Sequence, residues 1–201
     1  MTTNIQVIQR WEHYAENAFD VMRAVKRKWR DPNKLQRPIL RLFYCDISSA
    51  GYCVNNLHLI SENAMNNLLY GTTKKERKIV RDHYLSPQFL SRFIYDNQSV
   101  YLEDFEEFKK IFYLACGIII VTQDENDELA KFTKSDEKKD LFEILVPTDK
   151  KYDEIGVKLY QYEGTQKWKN RTYIPVSNSI LNVPTNILEY EKQYLRKRGD
   201  A

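Results

Sequence analysis

Three histidines are available to this chain for acid–base or metal chemistry, His13, His58 and His83, and only His83 has neighbours that suggest a use for it. Asp82 precedes it, the basic run KKERKIVR (74–81) leads into it, and Ser86–Pro87 follows. His13 and His58 fall on expected helices with no acidic or cysteine partner at ligand spacing, which suits surface or core-edge roles. A second polar segment, TQDEN (122–126), follows an apolar run further along the chain. Glycine-rich phosphate loops, serine nucleophile elbows and HExxH are absent from the sequence. Cys45, Cys53 and Cys116 are odd in number and lack CxxC spacing, which argues against a disulfide scaffold or a four-cysteine zinc site. Cys116 sits in an apolar run and reads as core packing.

Charge says more by its placement than by its total. The 31 basic and 28 acidic residues leave a net charge of only +3. Yet RAVKRKWRDPNKLQRPILR (23–41) sets eight basic residues against Asp31, with Trp29 among them. Lys26, Arg27, Lys28 and Arg30 there, and Lys74, Lys75, Arg77 and Arg81 ahead of Asp82, are the candidates for gripping nucleic-acid phosphates, a contact that would release counterions and make binding salt-dependent. The plainer use of the first run is as a solvated helix end whose cations complement the dipole.

These residues need elements to hold them. The 201 residues fit one large domain or two small ones, and a hydrophobic content of 42% with 13% aromatics excludes a disordered chain. Ile8, Trp11, Ala15, Ala18, Met22, Val25 and Trp29 recur at steps of three and four, predicting a helix over 4–30 that Asp31–Pro32 ends. That stripe serves a core, or alternatively a coiled-coil dimer seam. PILRLFYC (38–45) reads as a short strand or buried segment, and 50–70 as a second helix stopped by Gly71 at C′. KIVRDHY reads as a strand, Ser86–Pro87 as the N-cap and N1 of a helix, 102–116 as an amphipathic helix and GIIIV (117–121) as a buried strand. Thr122 and Glu125 stand at capping-box spacing for a further helix, and capping explains them without any active site. Residues 133–140 form a charge-rich linker, followed by β-type segments (LFEILV, GVKLYQYEG, RTYIPV) and a closing basic helix.

A histidine-bearing strand, a long connection with helices, a second strand and a capped helix are the arrangement of the HNH (His-Me finger) nucleases. Over residues 74–131, RDHYLSP, YLEDFEEFKKIF and VTQDENDEL resemble phage and bacterial HNH endonucleases. The resemblance implies hydrolysis of DNA phosphodiester bonds by a one-metal mechanism. His83 would be the general base, Asp82 and Asn126 would hold Mg²⁺ or another divalent cation, and Asn97 would orient the histidine. The sequence departs from the family in lacking a zinc-knuckle cysteine pair, in the long spacing from His83 to Asn126, and in having asparagine at the helix ligand position. Arg77 and His83 also have the R-x₅-H spacing of a metal-free HEPN ribonuclease, in which both residues lie on a helix.

The expectation is therefore an α+β protein. Residues 1–132 would be a mostly helical body with a small ββα-metal-like unit, and 133–201 a mixed β and irregular C-terminal region packed on the same domain. The expected function is a metal-dependent DNA endonuclease. The alternative is a non-catalytic nucleic-acid-binding or oligomeric interaction protein, with the N-terminal helix as a homodimer seam. The N-terminus has no cationic start followed by an apolar run, and LACGIIIV (114–121) is far short of the roughly 18 to 20 residues of a membrane span. With the cysteine pattern, this predicts a soluble protein in the cytoplasm of a bacterial or phage-infected cell, without a membrane partner.

Overall fold

The periodicities read above fold into an α+β protein, seen in a computed structural model that describes residues 4–25, 47, 50, 57–73, 76, 78–136, 141–164 and 167–195. Its described elements, in chain order, are α1 (Asn4–Val25), β1 (Leu59–Ser61), α2 (Glu62–Tyr70), β2 (Ile79–His83), α3 (Pro87–Asp96), α4 (Gln98–Tyr101), α5 (Phe105–Ala115), β3 (Ile118–Thr122), α6 (Gln123–Ala130), β4 (Thr133–Asp136), β5 (Leu141–Ile144), α7 (Lys151–Glu154), β6 (Leu159–Glu163), β7 (Thr172–Val176) and α8 (Thr185–Glu191). None of the described helices is long and apolar enough to cross a membrane. Residues 26–30 of the expected first helix and the expected strand 38–45 lie outside the described residues.

The chain divides into two compact units, Met1–Asn56 with Leu85–Gly117, and Leu57–Tyr84 with Ile118–Ala201. This differs from a linear boundary at residue 132. The segment between β2 and β3 belongs to the first unit, so each unit is built from two stretches of chain.

The first unit is helical. Ala15, Ala18, Phe19 and Met22 on α1 are buried. Phe19 meets Phe105 and Phe108 with ring centroids 5.2 and 5.3 Å apart, and Trp11 meets Phe112 at 6.0 Å. Tyr95 donates its hydroxyl to the Met22 carbonyl at 3.2 Å. The apolar stripe is thus spent on the unit's own core, which is the core-facing use rather than the dimer seam. Ser86 caps α3 with proline at N1, and Asp104 caps α5 by accepting from Glu106 N and Glu107 N.

The second unit holds a five-stranded sheet in the order β2-β3-β1-β6-β7. β1 and β3 run parallel, and the β2–β3, β1–β6 and β6–β7 pairs are antiparallel. All five residues of β3 are buried, as its unbroken β-branched run demands. Ile60, Ala64, Ile120 and Tyr162 form a core cluster, with Met65, Leu68, Ile79, Tyr160, Trp168 and Tyr173 packed around it.

Two expectations need correction here. Residues 59–61 are the strand β1, not part of a helix over 50–70. Ser61 then caps α2 by accepting from Ala64 N, so the step of Leu57, Ile60, Ala64 and Leu68 runs across a strand–helix junction and mimics one helix face. Gly71 does donate its N–H to Asn67 O, but its φ of −57° is not the left-handed conformation of a C′ glycine. The charge-rich stretch 133–140 is not simply a linker either, because Thr133–Asp136 pairs antiparallel with β5.

Candidate functional site

The elements expected around Asp82 and His83 are present. β2 carries both residues, its register with β3 runs from Ile79↔Thr122 to His83↔Ile118, and α6 begins directly after β3. Thr122 accepts from Glu125 N while Glu125 reaches back to Thr122 N, so both arms of the capping box are made. A ββα unit is therefore in place, with the helical segment 85–117 between its two strands in the chain.

Side-chain direction decides what this unit can do. Consecutive strand residues project to opposite faces of the sheet, and the β2–β3 ladder is regular through both Asp82↔Ile119 and His83↔Ile118. The carboxylate and the imidazole therefore leave the strand on opposite sides. Asp82 also has one oxygen engaged twice. Its Oδ2 accepts from Lys151 Nζ at 2.9 Å and from the Tyr152 hydroxyl, while Lys151 donates in addition to the His83 carbonyl at 3.0 Å. The Lys151 and Asp82 side chains are only 13% and 17% exposed. Tyr152 is buried, and burial first, then the charge of Asp82, push its hydroxyl well above the usual tyrosine range, which keeps it a proton donor.

Asn126 stands on the first turn of α6, beyond Thr122, which pairs with Ile79 at the far end of β2 from His83. Four residue steps separate those two ends, about 13 Å along the ladder. Asn97 lies in the helical unit at the end of α3, where its side-chain amide donates to Phe93 O at 2.8 Å. Its contact is a helix C-terminus. Strand alternation keeps the Asp82 and His83 side chains from converging on one point.

A divalent cation needs several hard oxygen or imidazole ligands converging on one point. Among the described residues no group of three or more His, Cys, Asp or Glu is placed to hold one. Asp82 has an ammonium and a phenol where a cation would bind. The residues present do not fit the metal that the HNH resemblance implies. The helical setting of the HEPN resemblance is not met either, since 79–83 is a strand.

Arg81 is exposed on β2, while Lys26, Arg27, Lys28, Arg30, Lys74, Lys75 and Arg77 lie outside the described residues. Two groupings escaped the sequence reading. Lys151 and Tyr152 stand far from Asp82 in the chain, and no spacing rule connects them. Glu125 does more than cap its own helix. Its buried carboxylate accepts from Ser61 Oγ at 2.6 Å, Asn63 Nδ2 at 3.0 Å and Thr122 Oγ1 at 3.1 Å as well as from Thr122 N at 2.8 Å. It joins the helix starts that follow the parallel strands β1 and β3. The chain matches no family model, no curated protein and no solved structure.

Proposed function

We propose that this chain is a nucleic-acid-binding protein built on a ββα unit of HNH-like element order, in which Asp82 serves the fold rather than a catalytic cation. The observation that carries this reading is the antiparallel β2–β3 pair running into α6, together with the capture of Asp82 by Lys151 and Tyr152. Exposed Arg81 on β2 and exposed Lys78 just before it bring positive charge to the same unit. Phosphate contacts of this kind supply most of the affinity of non-specific binding and weaken as salt rises.

The test is a mobility-shift titration of labelled DNA and RNA at two salt concentrations, beside plasmid incubated with Mg²⁺ or Mn²⁺. Retardation that fades with salt, without nicking, is expected. Absence of any shift at low salt overturns the reading.

A second reading is the metal-dependent DNA endonuclease, favoured by the position of His83 at the end of the first strand of the ββα unit. Cation-dependent nicking by the wild type that is lost in His83→Ala would establish it. A homodimer through α1 is a further proposal. It needs a surface other than Ala15, Ala18 and Met22, which are buried, and a solution mass measurement decides it. The place of action we propose is a bacterial or phage-infected cytoplasm, in keeping with three cysteines free of CxxC spacing.

A further inference from the structure

We infer that the end of the β6–β7 hairpin is a contact site for single-stranded nucleic acid, centred on Lys167, Trp168, Lys169 and Arg171. The inference rests on the nucleic-acid-binding reading above and gives it a location that the basic runs did not suggest. KWKNR (167–171) places three cations in five residues, and no acidic residue occurs from Gly164 to Thr172. Lys167 and Lys169 are exposed.

The aromatic partners are already arranged. The Arg171 guanidinium lies 3.8 Å from the centroid of the Trp168 ring and 4.9 Å from that of Tyr162. Trp168 and Tyr162 meet edge to face at 5.2 Å. The turn is stiffened by Asn170 N donating to Lys167 O at 2.8 Å, Arg171 N to Trp168 O at 3.2 Å, and the Tyr173 hydroxyl to the same Trp168 carbonyl at 2.8 Å. An arginine plane held in this way loses little freedom on binding, and a guanidinium face is a surface on which unstacked bases settle. Lysines on either side of Trp168 suit the phosphates that flank such a base. A duplex keeps its bases stacked inside and offers only its backbone to this short cationic turn. The ligand class is therefore a single strand, DNA or RNA.

Fluorescence anisotropy with end-labelled oligo(dT), oligo(rU) and a duplex of equal length, in buffer with EDTA, tests the site apart from any cleavage. Single strands are expected to bind at least about tenfold more tightly than the duplex. Arg171→Ala is expected to weaken single-strand binding about tenfold, the size of one lost stacking contact. The double variant Lys167→Gln/Lys169→Gln should lower the salt slope by about 1.4, from two phosphates at roughly 0.7 each. It alters exposed side chains, so it guards against a folding defect in Arg171→Ala, which thermal melts also check. The deoxy and ribo oligomers separate the two sources of the strand. If the wild type binds and neither variant changes affinity, the hairpin is not the site while the general reading stands. If the wild type binds none of the three probes, both fall. Tighter binding to the duplex overturns the single-strand assignment.

Discussion

Two carboxylates of one unit, Asp82 on β2 and Glu125 on the helix that follows β3, are used in opposite ways. Asp82 leaves the middle of a ladder and meets a lysine ammonium and a phenol, both from one short helix, α7. Glu125 leaves the first turn of α6 and meets only neutral donors: a serine, an asparagine and both the hydroxyl and backbone of a threonine. The first arrangement is a charge pair that an apolar pair of similar volume could replace. The second ties two helix starts, and hence β1 and β3, through one group with nothing to substitute for it. A carboxylate in a motif-like setting is therefore a poor guide to chemistry until its donors are known.

The sharpest way to break this comparison is Glu125→Ala, which strands the buried Ser61 and Thr122 hydroxyls. A loss of about 4 kcal/mol follows from leaving several partners of a buried charge unsatisfied, read from the urea midpoint. A loss under about 1 kcal/mol would remove Glu125 as a junction. Next comes Asp82→Ala, expected to cost about 3 kcal/mol because Lys151 keeps its charge in a site only 13% exposed. Asp82→Leu/Lys151→Met/Tyr152→Phe, which also removes the buried hydroxyl that donates to Asp82, should regain most of that loss in the same urea assay, and failure to regain it would mean the group contributes more than its own neutralisation. Thr122→Ala is smaller still, about 1 kcal/mol for an N-cap, and amide exchange should rise first in α6.

The smallest effect concerns pH. Burial raises the Glu191 carboxyl above its usual value of 4.5, against the two hydrogen bonds it accepts from Thr148. A folded value above the unfolded one means that the stability tied to protonation is complete below about 4.5 and is lost as pH climbs through the raised value. Melting curves of the wild type and Glu191→Gln across pH 4 to 7 should therefore diverge in favour of glutamine as pH rises. Parallel curves would refute the assignment.

Much of the local structure was legible because local rules decide it. Thr122 and Glu125 announced a capped helix, Ser86–Pro87 another, and the Ile118–Val121 run a buried strand. The junction at Ser61 was hidden because strand and helix happened to share one apolar spacing. Residues 133–136 read as linker because β4 is stabilised by its pairing with β5 rather than by hydrophobic content. The site itself was least legible. That Asp82 and His83 face apart follows from strand alternation and could have been read once β2 was accepted. That Lys151 takes the carboxylate could not, because it depends on where α7 comes to rest. The alternation of cations with Trp168 in KWKNR is present in the sequence but is shorter than the basic runs at 23–41 and 74–81.

The interleaving of the two units along the chain has a consequence for how the protein is made. Ile60 finds its partner Tyr160 only after 100 further positions have been synthesised, and Val80 finds Val121 only after the intervening helices. Pairings so distant in sequence are slow to close. A nascent chain leaving the ribosome therefore carries β2 unpaired until β3 is made and β1 with one open edge until β6 follows, a window in which a chaperone would find them.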